Sequence, residues 1–320
     1  MTRARDTANI IGNLDAVTAG DVVTVDANGN PESAGTRANP SLILNGGFDV
    51  WQRGTSFSAG ASQFASDRWY MAGTDKTTDR STQVPTGENF TYSSFVASTT
   101  SAAAYRTPLE LSITGEEAPF NISTTYTLSF WIRDHGTGGA AIRAYAYFSD
   151  GSSGANSVFN LLDTSQTTAA TNTWKKVSYT FSITNAANPT NTAMCVEVGL
   201  NGVGQCNITG VKLEQGSVAT PWFYEDIGTT LAKCQRYYYK DTSSGATVCR
   251  GRNSYATTTI QFPVKMRVIP TMDYTINSDD ATNGSIIASA DHVNLTALIG
   301  DVNTTGRYGM DAGWAANAEL

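Results

Sequence analysis

The chain has 320 residues, of which 40% are hydrophobic and only 15% charged, with a formal net charge of −7. Globular chains are usually about a quarter charged; here Ser, Thr, Asn, Gly and Ala take that place, and strong helix formers are scarce, so the chain reads as β-rich with few helices. The length predicts two or three domains, the absence of any Lys/Arg block excludes the electrostatic footprint of a nucleic-acid binder, and no apolar run approaches the about 20 residues of a membrane-spanning helix.

The first segment, Met1 to Asp6, is polar and carries Arg3 and Arg5 with no apolar stretch behind it. The expectation is synthesis in a cytosol without export by the general route. Arg3 to Leu14 is compatible with a short helix, with Ala4, Ala8, Ile11 and Ala16 along one stripe. Such a stripe is too short to stand alone in water, and three copies could bury it together. Asp21 to Val25 reads as a strand, and Asn28-Gly29-Asn30-Pro31 as the turn that ends it. Ser33 to Pro40 is small and polar and reads as a linker.

From residue 41 to 225 apolar residues alternate with polar ones, the period of half-buried strands. Leu109, Leu111 and Ile113 share a face, as do Tyr126, Leu128, Phe130 and Ile132. Val177, Tyr179, Phe181 and Ile183 repeat the pattern, and so do Met194, Val196, Val198 and Leu200. Clusters of Gly, Ser, Asn and Thr at 136–139, 150–154 and 185–191 separate them as loops. Several such strands predict a jelly-roll-like antiparallel β-sandwich.

Ile227 to Tyr238 is the helix candidate of the second half, with Thr229 or Thr230 as its cap. Tyr237, Tyr238 and Tyr239 are expected to pack that helix onto the last domain. Residues 241–320 read as a second, smaller β domain. Ile260, Phe262, Val264 and Met266 share a face, with Pro263 marking an edge or bulge; Met272, Tyr274 and Ile276 make the next strand. The expected division is therefore a connector at 1–40, a sandwich at 41–225, a helical linker at 226–240 and a β head at 241–320.

Chemistry-bearing constellations are few. Cys195, Cys206, Cys234 and Cys249 match no zinc or redox spacing and read as free thiols; a Cys195–Cys206 bridge would need their strands to pair face to face. The two histidines, His135 and His292, sit at strand–loop junctions, and no nucleophile elbow accompanies them. A glycosidase would need two carboxylates facing across a cleft. Glu110, Glu116, Glu117, Asp134, Asp150, Asp163 and Glu197 are available; the sequence alone shows no pair converging, and the neighbours Glu116 and Glu117 would point apart on a strand. The segment Asp26 to Asn30 has its glycine too early for a calcium loop and reads as a turn. Aromatics are the remaining resource. Trp131 and Arg133 lie opposite the apolar face of their strand, and Arg143, Tyr145 and Tyr147 opposite that of theirs. If the two strands are neighbours, these five residues form one exposed aromatic–arginine patch suited to stacking on sugar rings; the alternative is a second buried face packed against the connector or a sister subunit.

Two phrases frame the long β region. The first is Asn45-Gly46-Gly47-Phe48-Asp49-Val50-Trp51-Gln52-Arg53-Gly54 with Ser66-Asp67-Arg68-Trp69-Tyr70. The second is Gly210-Val211-Lys212-Leu213-Glu214-Gln215-Gly216 with Ala219-Thr220-Pro221-Trp222. Together with Cys234-Gln235-Arg236-Tyr237-Tyr238-Tyr239 and Phe262-Pro263-Val264-Lys265-Met266-Arg267, they resemble the carbohydrate-binding-module-like β-sandwich of bacteriophage tail fibre and receptor-binding proteins. The resemblance covers residues 41–270. It implies a non-enzymatic virion protein, assembled in the host cytoplasm as a homotrimer. It also implies attachment to phage tail or baseplate proteins through the N-terminal segment and binding of a bacterial surface glycan or outer-membrane protein, with neither nucleic acid nor membrane insertion involved. A capsid decoration or baseplate-associated protein built on the same module is one alternative, and a carbohydrate-active enzyme or its binding module is another. Sandwiches of this kind often hold a structural calcium at the opening phrase, for which Asn45 and Asp49 are the matching positions. Thr209-Gly210 stands where an acidic pair would be expected, so no cofactor is expected. Phe48, Trp51 and Trp69 are expected in the core.

Overall fold

The computed structural model describes residues 21–25, 31–36, 38–110, 124–149, 158–161, 165–182, 193–241, 245–250, 255–279, 283–298, 305–310 and 314–319. The expected helix at Arg3 to Leu14, the Asp26 to Asn30 turn, and Leu111, Ile113 and Ile183 lie outside them. At the start, β1 (Asp21–Val25) pairs antiparallel with β2 (Pro31–Thr36). Part of the expected linker is thus a strand. Pro31 opens that strand, a position where its missing N–H removes little from the ladder.

Twelve strands build the sandwich. They are β3 (Ser56–Phe57), β4 (Gln63–Phe64), β5 (Tyr70–Met71), β6 (Lys76–Ser81), β7 (Ser93–Ser98) and β8 (Ala104–Glu110), followed by β9 (Thr125–Asp134), β10 (Ile142–Ser149), β11 (Val158–Leu161), β12 (Trp174–Ser182), β13 (Ala193–Leu200) and β14 (Gly204–Gln215). They form two six-stranded sheets. The first runs β11-β10-β13-β8-β5-β4 and the second β12-β9-β14-β7-β6-β3. Their pairings are antiparallel throughout. The period-two pattern of the sequence becomes the shared core. Ile142, Ala144, Ala146, Met194, Val196 and Val198 from the first sheet meet Tyr126, Leu128, Phe130, Ile132, Val177 and Tyr179 from the second. Each large apolar side chain buried in this way contributes about 1.5–3 kcal/mol. Phe48, Trp51 and Trp69 lie in the same core, with Phe48 4.8 Å from Trp69 and 6.2 Å from Tyr105 between ring centroids.

After the sandwich, α1 (Ile227–Gln235) is capped by Asp226, whose carboxylate accepts from the N–H groups of Gly228 and Thr229. The expected caps, Thr229 and Thr230, are inside the helix; Thr230 donates instead to Glu225. An aspartate accepts two terminal N–H groups at once, and it wins the position. Next come β15 (Tyr238–Lys240), β16 (Gly245–Arg250), β17 (Tyr255–Gln261), β18 (Thr271–Asp273), β19 (Ile276–Asp279), β20 (Asn283–Ala288), β21 (His292–Leu298), β22 (Thr305–Met310) and β23 (Ala315–Asn317). They form three short sheets, β15-β23-β18, β16-β22-β19 and β17-β21-β20. Two expectations change here. The strand expected to run through Phe262 and Met266 ends at Gln261, because Pro263 cannot donate to a ladder; both side chains still reach the small core around Trp314. The strand expected from Met272 to Ile276 is two strands in different sheets. Of the three tyrosines expected to pack the helix onto the last domain, Tyr239 meets the small core there, whereas Tyr237 and Tyr238 meet arginines of the sandwich. Tyr237 lies under the Arg68 guanidinium and Tyr238 under that of Arg53, each at 3.6 Å, while Tyr239 packs edge-on against Phe262 and Trp314.

Candidate functional site

The opening phrase is held by its asparagine. Asn45 takes a left-handed backbone (φ 52°), which its short amide tolerates better than most residues. Its Nδ2 donates to the carbonyls of Val50 and Asp67, and its Oδ1 accepts from the Val50 N–H. Gly46 passes so close to the neighbouring strand that a Cβ there would meet the Val211 carbonyl at 2.0 Å. The closing phrase is held by two buried charges. Lys212 pairs with Glu214 at 3.2 Å, and their side chains are 1% and 2% exposed. Glu214 accepts from the N–H and hydroxyl of Thr220, while Lys212 donates to the Thr220 hydroxyl and the Pro221 carbonyl. These bonds return the chain over β14 and seat Trp222 beside Gly46 and Phe90. Burial lowers the Lys212 pKa and the Glu214 charge opposes that shift.

Calcium does not fit this arrangement. Both polar atoms of Asn45 are spent inside the chain. Gly210 sits in the left-handed region (φ 62°) with the Phe90 ring where a side chain would begin, 2.5 Å from an ideal Cβ. Among the described residues no three acidic, histidine or cysteine groups gather, whereas calcium takes six to eight oxygens.

The aromatic–arginine candidates separate. Trp131 and Arg133 lie on β9 in the second sheet, and Arg143, Tyr145 and Tyr147 on β10 in the first. The two strands are not neighbours, so the single five-residue patch does not form. Trp131 lines a small recess with Phe90, Lys176, Lys212 and Trp222. Arg133 donates to the Asn172 carbonyl. Tyr147 is fully buried, and burial drives its phenol far above the ordinary tyrosine range; it offers no exposed ring. Arg143 and Tyr145 remain half-exposed, with the guanidinium 4.3 Å from the ring centroid.

Strand register shows what the sequence left invisible. Across the outer face of the first sheet, Tyr145 stands opposite Glu197, Glu197 opposite Arg106, Arg106 opposite Tyr70 and Tyr70 opposite Phe64. One transverse rung therefore carries a charged pair, Glu197 and Arg106, flanked by rings on both sides, over five strands. Glu197 is buried and accepts from Arg143 Nε at 2.6 Å, and Arg143 also donates to Asn201. The carboxylate thus positions the arginine along Tyr145 and does not itself face outward. Arg106 lies 5.8 Å from the Tyr70 ring, and Phe64 meets Tyr70 edge-on at 5.1 Å. Phe64 and Tyr70 lacked a periodic signal because β4 and β5 are two residues long, and Arg106 joins them only through the pairing of β8 with β5. At about 4.8 Å between strands, the rung spans about 19 Å.

The remaining candidates serve the scaffold. Asp134 accepts from Gly136 N–H and Thr168 and lies in the second sheet, whereas Glu197 lies in the first, so these two carboxylates do not converge. The side chain of Glu110 is outside the description, as are Glu116, Glu117, Asp150 and Asp163. His135 bonds Asn207 through Nε2. Ser289, Asp291 and His292 cluster, but the serine and the aspartate both meet the same ring nitrogen, Nδ1, while Nε2 faces Asn294. A base that relays a proton needs its orienting carboxylate and its nucleophile on opposite nitrogens. Cys195, Cys206 and Cys234 are buried free thiols; the side chain of Cys249 is outside the description.

No protein-family model matches this chain, and no curated protein matches it. Solved structures are similar at low identity. One contains the family-22 carbohydrate-binding and catalytic modules of a Clostridium thermocellum xylanase complexed with xylohexaose: 14% identity over 56% of this chain and 29% of that one, TM-score 0.39. A xylan-binding domain from Paenibacillus barcinonensis shares 11% identity over 57% of this chain and 98% of its own, TM-score 0.36. The enzymatically active domain of bacteriophage CBA120 tailspike protein 4 shares 15% identity over 55% of this chain and 21% of that one, TM-score 0.33.

Proposed function

We propose that the chain is a non-enzymatic, glycan-binding attachment protein of a phage tail fibre, assembled as a homotrimer in the host cytoplasm and carried in the virion. The observation that carries the glycan part is the outer face of the first sheet, where half-exposed Tyr145, Tyr70 and Phe64 share one rung with Arg106, and Arg143 lies against Tyr145. Ring faces stack on the C–H surfaces of sugars, and guanidinium groups donate to sugar oxygens in fixed directions. The phage part is supported by the tail-fibre-like phrases, which the fold joins at the sandwich core and its closing strand.

The test is a glycan array probed with the full chain, followed by titration of the strongest hits. Tyr145→Ala is expected to weaken binding at least tenfold, about 1.4 kcal/mol, with an unchanged circular-dichroism spectrum. A chain that binds no array glycan loses the glycan reading. Light scattering is expected to give three copies per particle, and a stable monomer argues against the fibre. Purified chain is expected to compete with virions for host adsorption.

A further inference from the structure

A cavity of about 70 Å³ opens at the other side of the opening phrase, against the residues that lead into α1. It is lined by Gly46, Gly47, Asp49, Trp222, Tyr224 and Glu225, with Thr230 and Lys233 of α1 behind. Gly47 contributes no side chain to this lining. A Cβ there would lie 2.9 Å from Asp49 Oδ2 and 3.4 Å from Trp222 Cζ2. The space left by the missing side chain is therefore within contact of a carboxylate and an indole at once. Among the described residues, nothing donates to the Asp49 carboxylate, although the residue is half-buried. Glu225 is already engaged by Thr230 and Lys233. The cavity holds two carboxylates against one ammonium group. Two of its lining residues are large, apolar and open to solvent: Phe223 and Tyr224 are 41% and 62% exposed.

We propose that this cavity is a docking site for a basic side chain, arginine or lysine, of a foreign polypeptide whose neighbouring residues are apolar. A cation placed over Gly47 meets the unpaired Asp49 beside the Trp222 indole, with Tyr224 in the same lining, a carboxylate and aromatic rings of the kind that bind guanidinium and ammonium groups. The flanking apolar residues would cover Phe223 and Tyr224. Charge complementarity selects a cationic occupant, because Asp49 and Glu225 face one ammonium group, Lys233, and the net charge of −7 favours a basic foreign partner over a second, equally acidic copy. Burial raises the Asp49 pKa to about 6, which is the condition of a carboxylate that lacks its counter-charge. The site is separate from the aromatic–arginine rung and does not depend on glycan binding.

The probe is N-acetyl-arginine amide, titrated into the full chain and followed by NMR at the Trp222 indole. Its uncharged counterpart N-acetyl-citrulline amide and calcium chloride serve as controls. The arginine probe is expected to bind at millimolar concentration and to lower the Asp49 pKa. Asp49→Asn and Gly47→Ala are each expected to weaken it at least tenfold. Gly47 has an ordinary φ, and its added methyl meets the movable carboxylate instead of backbone, so that variant fills the cavity in a folded chain. Equal binding of the citrulline probe, no binding by arginine, or calcium displacing arginine would each overturn the proposal. So would an oligomer that dissociates on Asp49→Asn, which would make the occupant a second copy.

Discussion

Asp49 carries a pH dependence whose sign is set by its surroundings. Its ordinary value is 3.8, and burial raises it to about 6 in the fold. The charged form is therefore penalised in the folded state. The penalty is absent below about pH 3, grows as pH rises through 6, and is complete at 7. The full shift would be about 3 kcal/mol, and the solvent that still reaches this half-exposed group reduces it to about 1–2 kcal/mol. Asp49→Asn is expected to raise stability by that amount at pH 7 and to leave it nearly unchanged at about pH 3. Urea denaturation of both proteins at four pH values checks it, and the difference between the two curves removes the parallel contribution of Asp67, which burial also raises to about 6. The role of Asp49 was half legible. Its place in the phrase was plain, but its missing partner depends on Trp222, which is 173 positions further along in sequence.

Strands were the most legible elements. The alternation in β9, β12 and β13 fixed which residues face the core, because a period of two leaves no other choice when one face is buried. Which strands are neighbours was not legible. β9 and β10 are consecutive in sequence, yet they join different sheets, and nothing in either strand's own pattern records that. The closing strand β14 shows a second limit. Its alternation breaks at Gly210 and Val211, where the register shifts between Thr209 and Lys212, and the bulge turns Lys212 and Glu214 toward the returning segment. Glu214→Ala is expected to cost about 3–5 kcal/mol, since it leaves Lys212 as a buried cation without its counter-charge. The double change Lys212→Met with Glu214→Leu is expected to recover most of that loss, as an apolar pair of similar volume. Chemical denaturation of the two variants separates the cost of an orphaned charge from the contribution of the pair.

At the scale of the whole molecule, the opening phrase ties the sandwich to the sheets beyond α1. Gln52 Nε2 donates to the Tyr238 carbonyl and to Asp67. Arg53 bridges Asp67 and Glu319, at 3.4 and 3.1 Å. Arg68, fully buried, pairs with Glu319, donates to the Pro108 carbonyl and stacks on Tyr237. Glu319 is 251 positions from Arg68, which is why Trp51-Gln52-Arg53 and Asp67-Arg68 read in sequence as parts of the sandwich alone. Arg267 completes the arrangement by donating to the carbonyls of Ala318 and Glu319. A few charged groups therefore join the two parts where the sequence suggested a simple linker. Glu319→Ala removes one carboxylate from two arginines and leaves both inside the junction, at an expected cost of about 3–5 kcal/mol. The sandwich keeps its own core without this contact, so the loss falls on the smaller part. In calorimetry the unchanged chain is expected to melt in one cooperative transition, and Glu319→Ala in two, with residues 238–319 unfolding first. Limited proteolysis of the variant is expected to leave the sandwich intact while cleaving beyond α1. A variant that still melts in one transition at the original temperature would place the coupling in the Tyr237 and Tyr238 stacking contacts, where Arg53→Leu with Arg68→Leu should then produce the split.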